Sequence, residues 1–487
     1  MLQCAHTSPV DNYYRDPSPW LPEHTWEHHF VDKASAGSTV VELVRSGRFD
    51  AFVNLCDGAH GSVDAGIEVV QTLERLGVAF TGADSGFFEP TREEMKLAAH
   101  AYGLATPHYA FADSPSAVEL AGRLRFPLLV KHPNGYSSLG MTRASRVTTR
   151  AQLRVEAERI IDTYGAALIE EFIEGREFTV LVVEDPEAPD APIALTPVEL
   201  RFPPGETFMH FDLKWVDYED LGWRPVDDPE LASRLRAVSR SFFLALTGSG
   251  YGRCDIRMDA DGGLHLLEIN PNCGIFYPPE DPGSADVILR NDPLGYRGFL
   301  EKILASARRR RRQRVQRWAV ASSADTGHRI FATEALAAGE VVVRGEARPY
   351  HLATRRYIAR RFDTDRQRRI EHHGVPLSDD LVALWGERPG QWLPIQHSCD
   401  PNAWYEGLDL VARRSIAAGE TITVDHATRL PGGFEPFACS CGAAACRGEV
   451  RPDDWLLPVL RERYGGHVSL AVRHRHSEWD ASRATTH

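Results

Sequence analysis

The chain has 487 residues, which at roughly 150 residues per domain suggests about three domains. Lys+Arg number 55 against 68 Asp+Glu, and the net charge of −13 argues against a protein whose whole surface grips nucleic acid or acidic lipid. No apolar run approaches the ~18 residues of a membrane span, the first twenty residues have no basic region followed by an apolar one, and 8 cysteines are too few for a disulfide scaffold. A cytoplasmic protein is expected, with no membrane partner and nucleic acid disfavoured. The cysteines are uneven: Cys4, Cys56, Cys254 and Cys273 are scattered, while Cys399, Cys439, Cys441 and Cys446 crowd the last part.

Taken in chain order, FDAFVNLC reads as a strand, DAGIEVVQTLERLG as a helix and VAFTG as a further short strand. REEMKLAAHAYG is a helix ending at Gly103, FPLLVKH a strand, AQLRVEAERIIDTYG a helix, and AALIEEFI and EFTVLVVE are strands. The pattern is α/β or α+β. The apolar-periodic GFLEKILASA then runs into the densest charge cluster, Arg308 to Arg312, which reads as a solvated helix end and linker, or less readily as a site for an anionic partner such as RNA. Beyond it, short strand-like runs dominate, with a helical insert near 352–372 and a polar, His-rich tail from Gly465. The expected divisions are 1–90, 91–312, 313–464 and a flexible 465–487.

The most informative segment of the first part is GRCDIRMDADGGLHLLEINPN. Asp261-Gly262 between two β-like runs signals a two-residue hairpin turn, which places Asp255 opposite Glu268, with Arg253 and Asn270 on the same face. Two facing carboxylates repel unless a cation lies between them, and hard oxygen donors of this kind suit Mg²⁺. An exposed polar face with an incidental acidic pair is the plainer alternative. Lys131 follows an apolar strand and precedes the Gly- and Ser-rich HPNGYSSLG, a loop type that offers charge and N–H donors to phosphate. Lys96, on a helix, and Lys214, in TFMHFDLKW, are further cations, although either could simply be exposed. Glu170 and Glu177 bracket a strand–turn–strand and could accept hydrogen bonds from an adenine amino group and ribose hydroxyls.

In order, these motifs make residues 50–305 resemble the ATP-grasp superfamily, within its D-alanine–D-alanine ligase branch. The matching pieces are HGSVDAG, GVAFTG, EEMKLAA, LLVKHPNGYSSLGM, IEEFIEGREFTV, TFMHFDLKW and GYGRCDIRMDADGGLHLLEINPNCG. The resemblance implies a fold that clamps ATP between two sheets, and a reaction that phosphorylates a carboxylate for attack by an amine. It also implies that Lys96, Lys131 and Lys214 contact phosphates, that Glu170 and the backbone after it, at Glu171, face adenine, and that Glu177 faces the ribose. Asp255, Glu268 and Asn270 would hold Mg²⁺, Arg253 would stabilise the tetrahedral intermediate, and Ser137 and Ser138 would lie in the closing loop. Two departures bear on substrate choice: the first 49 residues lack the family's glycine-rich turn, and PNCGIFYPP differs from the family's terminal substrate loop. The expected substrates are therefore a small carboxylate and an amine, amino acid or peptide, with no identity assigned.

Cys439, Cys441 and Cys446 follow a C-x-C-x4-C spacing that reads as zinc ligands, with Cys399 in QHSCDPN as the fourth or His397 as the alternative. QHSCDPN, GLDLVARRSIAAGETITVDHA, CSCGAAACRGEV and DTGHRIFATEALAAGEVV together make residues 318–460 resemble a SET domain with its post-SET zinc segment. This implies a β-rich, knot-like fold that binds S-adenosylmethionine near Gly327, His328, Arg329, Gln396 and His397 and methylates a protein or peptide lysine. Here too there are departures. Gln396 replaces the family's usual Asn, and His426 replaces a Tyr whose hydroxyl orients the substrate amine, so methyl transfer is expected to be weak or altered. The expectation for the whole chain is an α+β protein joining an ATP-grasp ligase to a SET domain; the alternative makes the SET half a zinc-stabilised binding module.

Overall fold

A computed structural model describes residues 1–5, 14–59, 61–136, 138–216, 221–314, 316–323, 327–346, 350–385, 393–429 and 435–484. The chain forms two compact units, Met1–Val315 and Gln316–His487.

The first unit is built on two antiparallel sheets. The larger has six strands in which Arg176–Val183 pairs with Tyr251–Met258, which in turn pairs with Leu264–Pro271. Strand alternation divides its two faces. Phe178, Val180, Val182, Cys254 and Ile256 enter one core with helices Ile67–Arg75 and Pro229–Ala245, while Leu181, Val183 and Tyr251 enter another with helices Ser284–Asn291 and Gly295–Arg314. The smaller sheet has four strands: Tyr109–Ala112, Leu128–Lys131, Arg146–Val147 and Ala167–Glu171. Leu128, Val130, Ala167 and Ile169 pack against helix Arg150–Tyr164 on one side of it. That helix starts at a Thr149–Gln152 capping box and stops at Gly165, whose φ of 83° suits a residue without a Cβ.

Three local expectations change. FDAFVNLC makes isolated bridges, such as Leu2 to Asn54 and Phe52 to Phe80, instead of a continuous strand. The hairpin has a five-residue connection, Asp259–Gly263, closed by the Asp259 carboxylate accepting from the backbone N–H of Asp261 and Gly263. An irregularity between Asp255 and Ile256 restores the expected register, so Asp255 still faces Glu268 and Arg253 still faces Asn270. Finally, the arginine run is not a purely solvated helix end. Arg309 and Arg310 both pair with buried Glu184, and Arg310 Nη2 also donates to the carbonyls of Phe80 (3.0 Å) and Gly82 (2.8 Å). A buried guanidinium needs partners, and these tie the helix end back to the core.

The second unit consists of small sheets around Trp318, Ile330, Val342, Leu410, Ile422 and Val424. Strand Gln396–His397 lies parallel to Thr423–Val424, and helices Arg355–Arg361 and Thr364–His373 form the insert. The expected flexible tail is instead largely helical: Leu470–Ala484 is a helix, and Val468 and Val472 are buried against Leu460 and Tyr464. The apolar residues spaced among the histidines supply the anchoring face. Among the described residues, no helix is long and apolar enough to cross a membrane.

Candidate functional sites

On the smaller sheet, Ile169 points into the helix-packed core and Glu170 therefore points the other way, sharing that face with Lys131. Glu170 is 2% exposed and pairs with Lys131 Nζ at 2.5 Å and with the ammonium of Lys96, which also donates to Thr106 Oγ1 at 2.6 Å. Burial acts to raise the Glu170 carboxyl, but the two ammonium groups hold it down at about 2. Burial lowers Lys96 and brings Lys131 down to about 8 despite the carboxylate beside it. Two buried lysines sharing one carboxylate leave a local excess of positive charge, the electrostatic character a phosphate site requires.

Glu171 does not join them. Its position in the alternation turns it to the opposite face, where it accepts from the Arg125 backbone N–H (2.9 Å) and pairs with the Arg125 guanidinium (3.2 Å). The adenine contact expected at Glu171 is the backbone's, and the side chain takes no part in it.

On the larger sheet, Thr179, Asp255, Arg253, Glu268 and Asn270 share one face. Asn270 Nδ2 donates to Asp255 Oδ2 (3.0 Å) and Glu268 Oε1 (3.2 Å), bridging the two carboxylates. Thr179 Oγ1 donates to Asp255 (2.8 Å), and Arg253 grips both oxygens of Asp255 at 3.1 Å while donating to Ser284 Oγ at 2.8 Å. Two carboxylates and an amide form a hard-oxygen donor set that fits Mg²⁺. Glu177 lies on the same face with Arg257 at 3.6 Å, and burial raises its carboxyl.

Ser138 has φ 59° and donates to the Met209 carbonyl at 3.1 Å, while Phe211 N donates to the Met141 carbonyl at 3.1 Å. These bonds stitch the Gly- and Ser-rich loop to the short helix Phe211–Trp215, which carries Lys214. Ser137 lies outside the described residues. Sequence reasoning missed Arg92, a buried guanidinium in electrostatic reach of both Glu170 and Asp255. The only available signal was a basic residue at the start of a capped helix, where anionic side chains are the usual preference.

In the second unit, Cys399, Cys439, Cys441 and Cys446 bring four sulfurs within 4.8 Å of one another, and all four are free thiols. Backbone N–H groups of Cys399 and Arg447 reach the Cys441 and Cys399 sulfurs at 3.4 Å. Four soft donors with N–H groups directed at sulfur fit tetrahedral zinc. His397 stands beside this quartet. Its Nδ1 accepts from the His426 backbone N–H (3.2 Å), leaving Nε2 to donate toward Cys399 Sγ (3.4 Å). Burial lowers His397 to about 4 and also lowers His426, whose Nε2 donates to the Ile395 carbonyl at 3.2 Å.

The neighbouring Gln396 faces the other way and donates to the His328 carbonyl at 2.7 Å, so it meets the Gly327–Arg329 segment. Gly327 has φ 63°, while His328 is exposed and Arg329 half-buried. The sequence also concealed a connection between the cysteines and the Asp425-His426 pair. Arg447, next to Cys446, grips fully buried Asp425 at 2.6 and 2.7 Å, and the Tyr464 hydroxyl donates to the same carboxylate at 3.2 Å.

Two family models match the chain: "D-ala D-ala ligase C-terminus" over residues 95–277 and "SET domain" over residues 327–427. The D-alanine–D-alanine ligase of Xanthomonas axonopodis pv. citri is 31% identical over 236 residues, covering 47% of this chain and 70% of the relative. That of Cupriavidus necator is 27% identical over 274 residues, covering 55% and 79%. A solved Bacillus anthracis D-alanine–D-alanine ligase complexed with ATP matches with a TM-score of 0.44 and 19% identity, over 61% of this chain and 90% of that one.

Proposed function

The chain belongs to the D-alanine–D-alanine ligase family and carries a SET domain after its ligase half, and from that premise we propose a bifunctional cytoplasmic protein. Its first unit is an ATP-dependent ligase that activates a small carboxylate as an acyl phosphate and joins it to an amine, both drawn from amino acids or small peptides. The observation that carries this reading is the bridged trio Asp255, Asn270 and Glu268 with Arg253 beside it. Phosphoryl transfer asks for positioning and charge neutralisation rather than a nucleophilic side chain. Asp255, Glu268 and Asn270 would hold Mg²⁺, which supplies charge neutralisation at the phosphates. Lys96, Lys131 and Lys214 bind phosphate oxygens, and the half-buried Glu177 accepts from ribose hydroxyls. Arg253, held in place by Asp255 and Ser284, offers its guanidinium to the oxyanion that develops when the amine attacks.

The test is ADP release screened against amino acids and small peptides. Asp255→Asn and Glu268→Gln each abolish release in the presence of a productive substrate pair. Full activity in both variants would remove the hairpin from the site.

For the second unit we propose zinc at the cysteine quartet and S-adenosylmethionine beside Gly327–Arg329 and Gln396, with weak or altered methylation of a protein or peptide amine. One observation bears on the alternative of a binding module: His426 Nε2 is committed as a donor to the Ile395 carbonyl, so only Nδ1 of this ring is left to accept a substrate proton. Calorimetry of the zinc-loaded full chain with S-adenosylmethionine separates the two. Absence of binding selects the module, whereas binding with transfer of a labelled methyl group selects the enzyme.

A further inference from the structure

We infer that Arg92 is a positioning residue that makes the phosphate loop sense the state of the metal-binding carboxylate Glu268. The inference rests on the reading of Glu268 as a Mg²⁺ ligand.

Arg92 opens helix Arg92–Ala101 directly after the cap residue Thr91 and is 5% exposed. Its guanidinium has two duties. Nη1 pairs with Glu268 Oε2 on the larger sheet, and Nη2 donates to the Gly135 carbonyl in the Gly- and Ser-rich loop at 2.9 Å. The same loop is tied to this helix start at three more points. Asn134 Oδ1 accepts from the Arg92 backbone N–H at 3.0 Å, the Tyr136 hydroxyl donates to the Pro90 carbonyl at 3.3 Å, and the Arg92 guanidinium carbon lies 5.7 Å from the Tyr136 ring centre. At Gly135 the chain passes so close to His132 that a Cβ would approach its ring atoms to 2.8 Å. Only a residue without a side chain fits at the point where Arg92 holds the loop.

The coupling follows from electrostatics. A buried guanidinium requires anionic or carbonyl partners, because leaving it desolvated and unpaired is strongly unfavourable. Burial already lowers the Arg92 pKa, with Tyr136, Glu170 and Asp255 acting to raise it. A divalent cation at Glu268 competes with Arg92 for the same carboxylate charge. As that pair weakens, Arg92 is left to the loop carbonyl and to whatever anion the loop encloses, so occupancy at the carboxylate reaches the loop through this one side chain. A lysine could not do the same, since a single ammonium on a flexible stem cannot reproduce the planar fork that reaches two acceptors at once.

The test is a double-mutant cycle read by hydrogen exchange of the loop amides at 134–142 in the full chain, without nucleotide and with Mg²⁺ alone as the ligand. We expect Arg92→Met to speed loop exchange about tenfold, with amides of strand Tyr251–Met258 unchanged. Glu268→Gln should speed it in the wild-type background and add nothing in the Arg92→Met background. Arg92→Lys should leave the loop as loose as Arg92→Met does, and it serves as the second arm of the cycle if Arg92→Met does not fold. Added Mg²⁺ should alter loop exchange in the wild type but not in either Arg92 variant. Equal effects of Glu268→Gln in both backgrounds, or a Mg²⁺ response that survives loss of Arg92, would overturn the inference. Exchange needs no turnover, so failure of the ligase reading would appear separately, as absent ADP release with intact coupling.

Discussion

Glu170→Gln is the most informative single substitution in the first unit. It keeps shape and hydrogen-bonding capacity and removes one charge. Glu170 is the carboxylate that Lys96 and Lys131 share, and all three groups are buried. Removing one member of a buried ion pair typically costs about 3–5 kcal/mol, because the remaining charge stays desolvated and unpaired. Here two ammonium groups are stranded, so the upper part of that range is expected. At ~2–3 °C per kcal/mol for a domain of this size, the first unit should unfold roughly 8–15 °C lower.

The penalty should also depend on pH. Lys131 is already down at about 8 through burial, with Glu170 acting to raise it. Without that carboxylate it falls further below the ~10.5 of an unfolded lysine, so the folded state binds fewer protons than the unfolded state over a wider range. Stability of the variant must then rise with pH more steeply than that of the wild type between about 7 and 9. Differential scanning fluorimetry and urea unfolding at pH 7 and pH 9 measure this. A loss under ~1 kcal/mol at pH 7, or a larger loss at pH 9 than at pH 7, would refute the reasoning.

A further outcome concerns the second unit. Zinc measured by plasma mass spectrometry should fall from stoichiometric to near zero in Cys439→Ser, with a lower unfolding temperature for this unit; a wild-type protein that takes up no zinc, or a variant that keeps it, would exclude the quartet as a metal site.

What proved legible was local. The pairing of Asp255 with Glu268 follows from side-chain alternation in two strands joined by a short connection, and it survives a turn longer than expected because a bulge offsets the extra residues. The cysteine spacing is legible for the same reason, since C-x-C-x4-C needs no long-range information to gather three thiols. The helices read from REEMKLAAHAYG and AQLRVEAERIIDTYG form for local reasons as well, since Thr91 and Thr149 cap them through boxes closed within four residues.

What escaped depends on contacts between distant segments. Glu170 and Glu171 are indistinguishable until sheet order decides which face is covered by helix Arg150–Tyr164. The arginine run looks solvated until Glu184, 126 residues earlier, is found beneath Arg310. Arg447 is an ordinary arginine until it grips Asp425, and Arg92 is an ordinary helix start until it joins Glu268 to Gly135. The sequence by itself determined the two families and the residue types of both sites, because those are written in short motifs and their order. Tertiary structure alone decided which charges are paired, because the cost of burying a charge depends on every segment that excludes water around it.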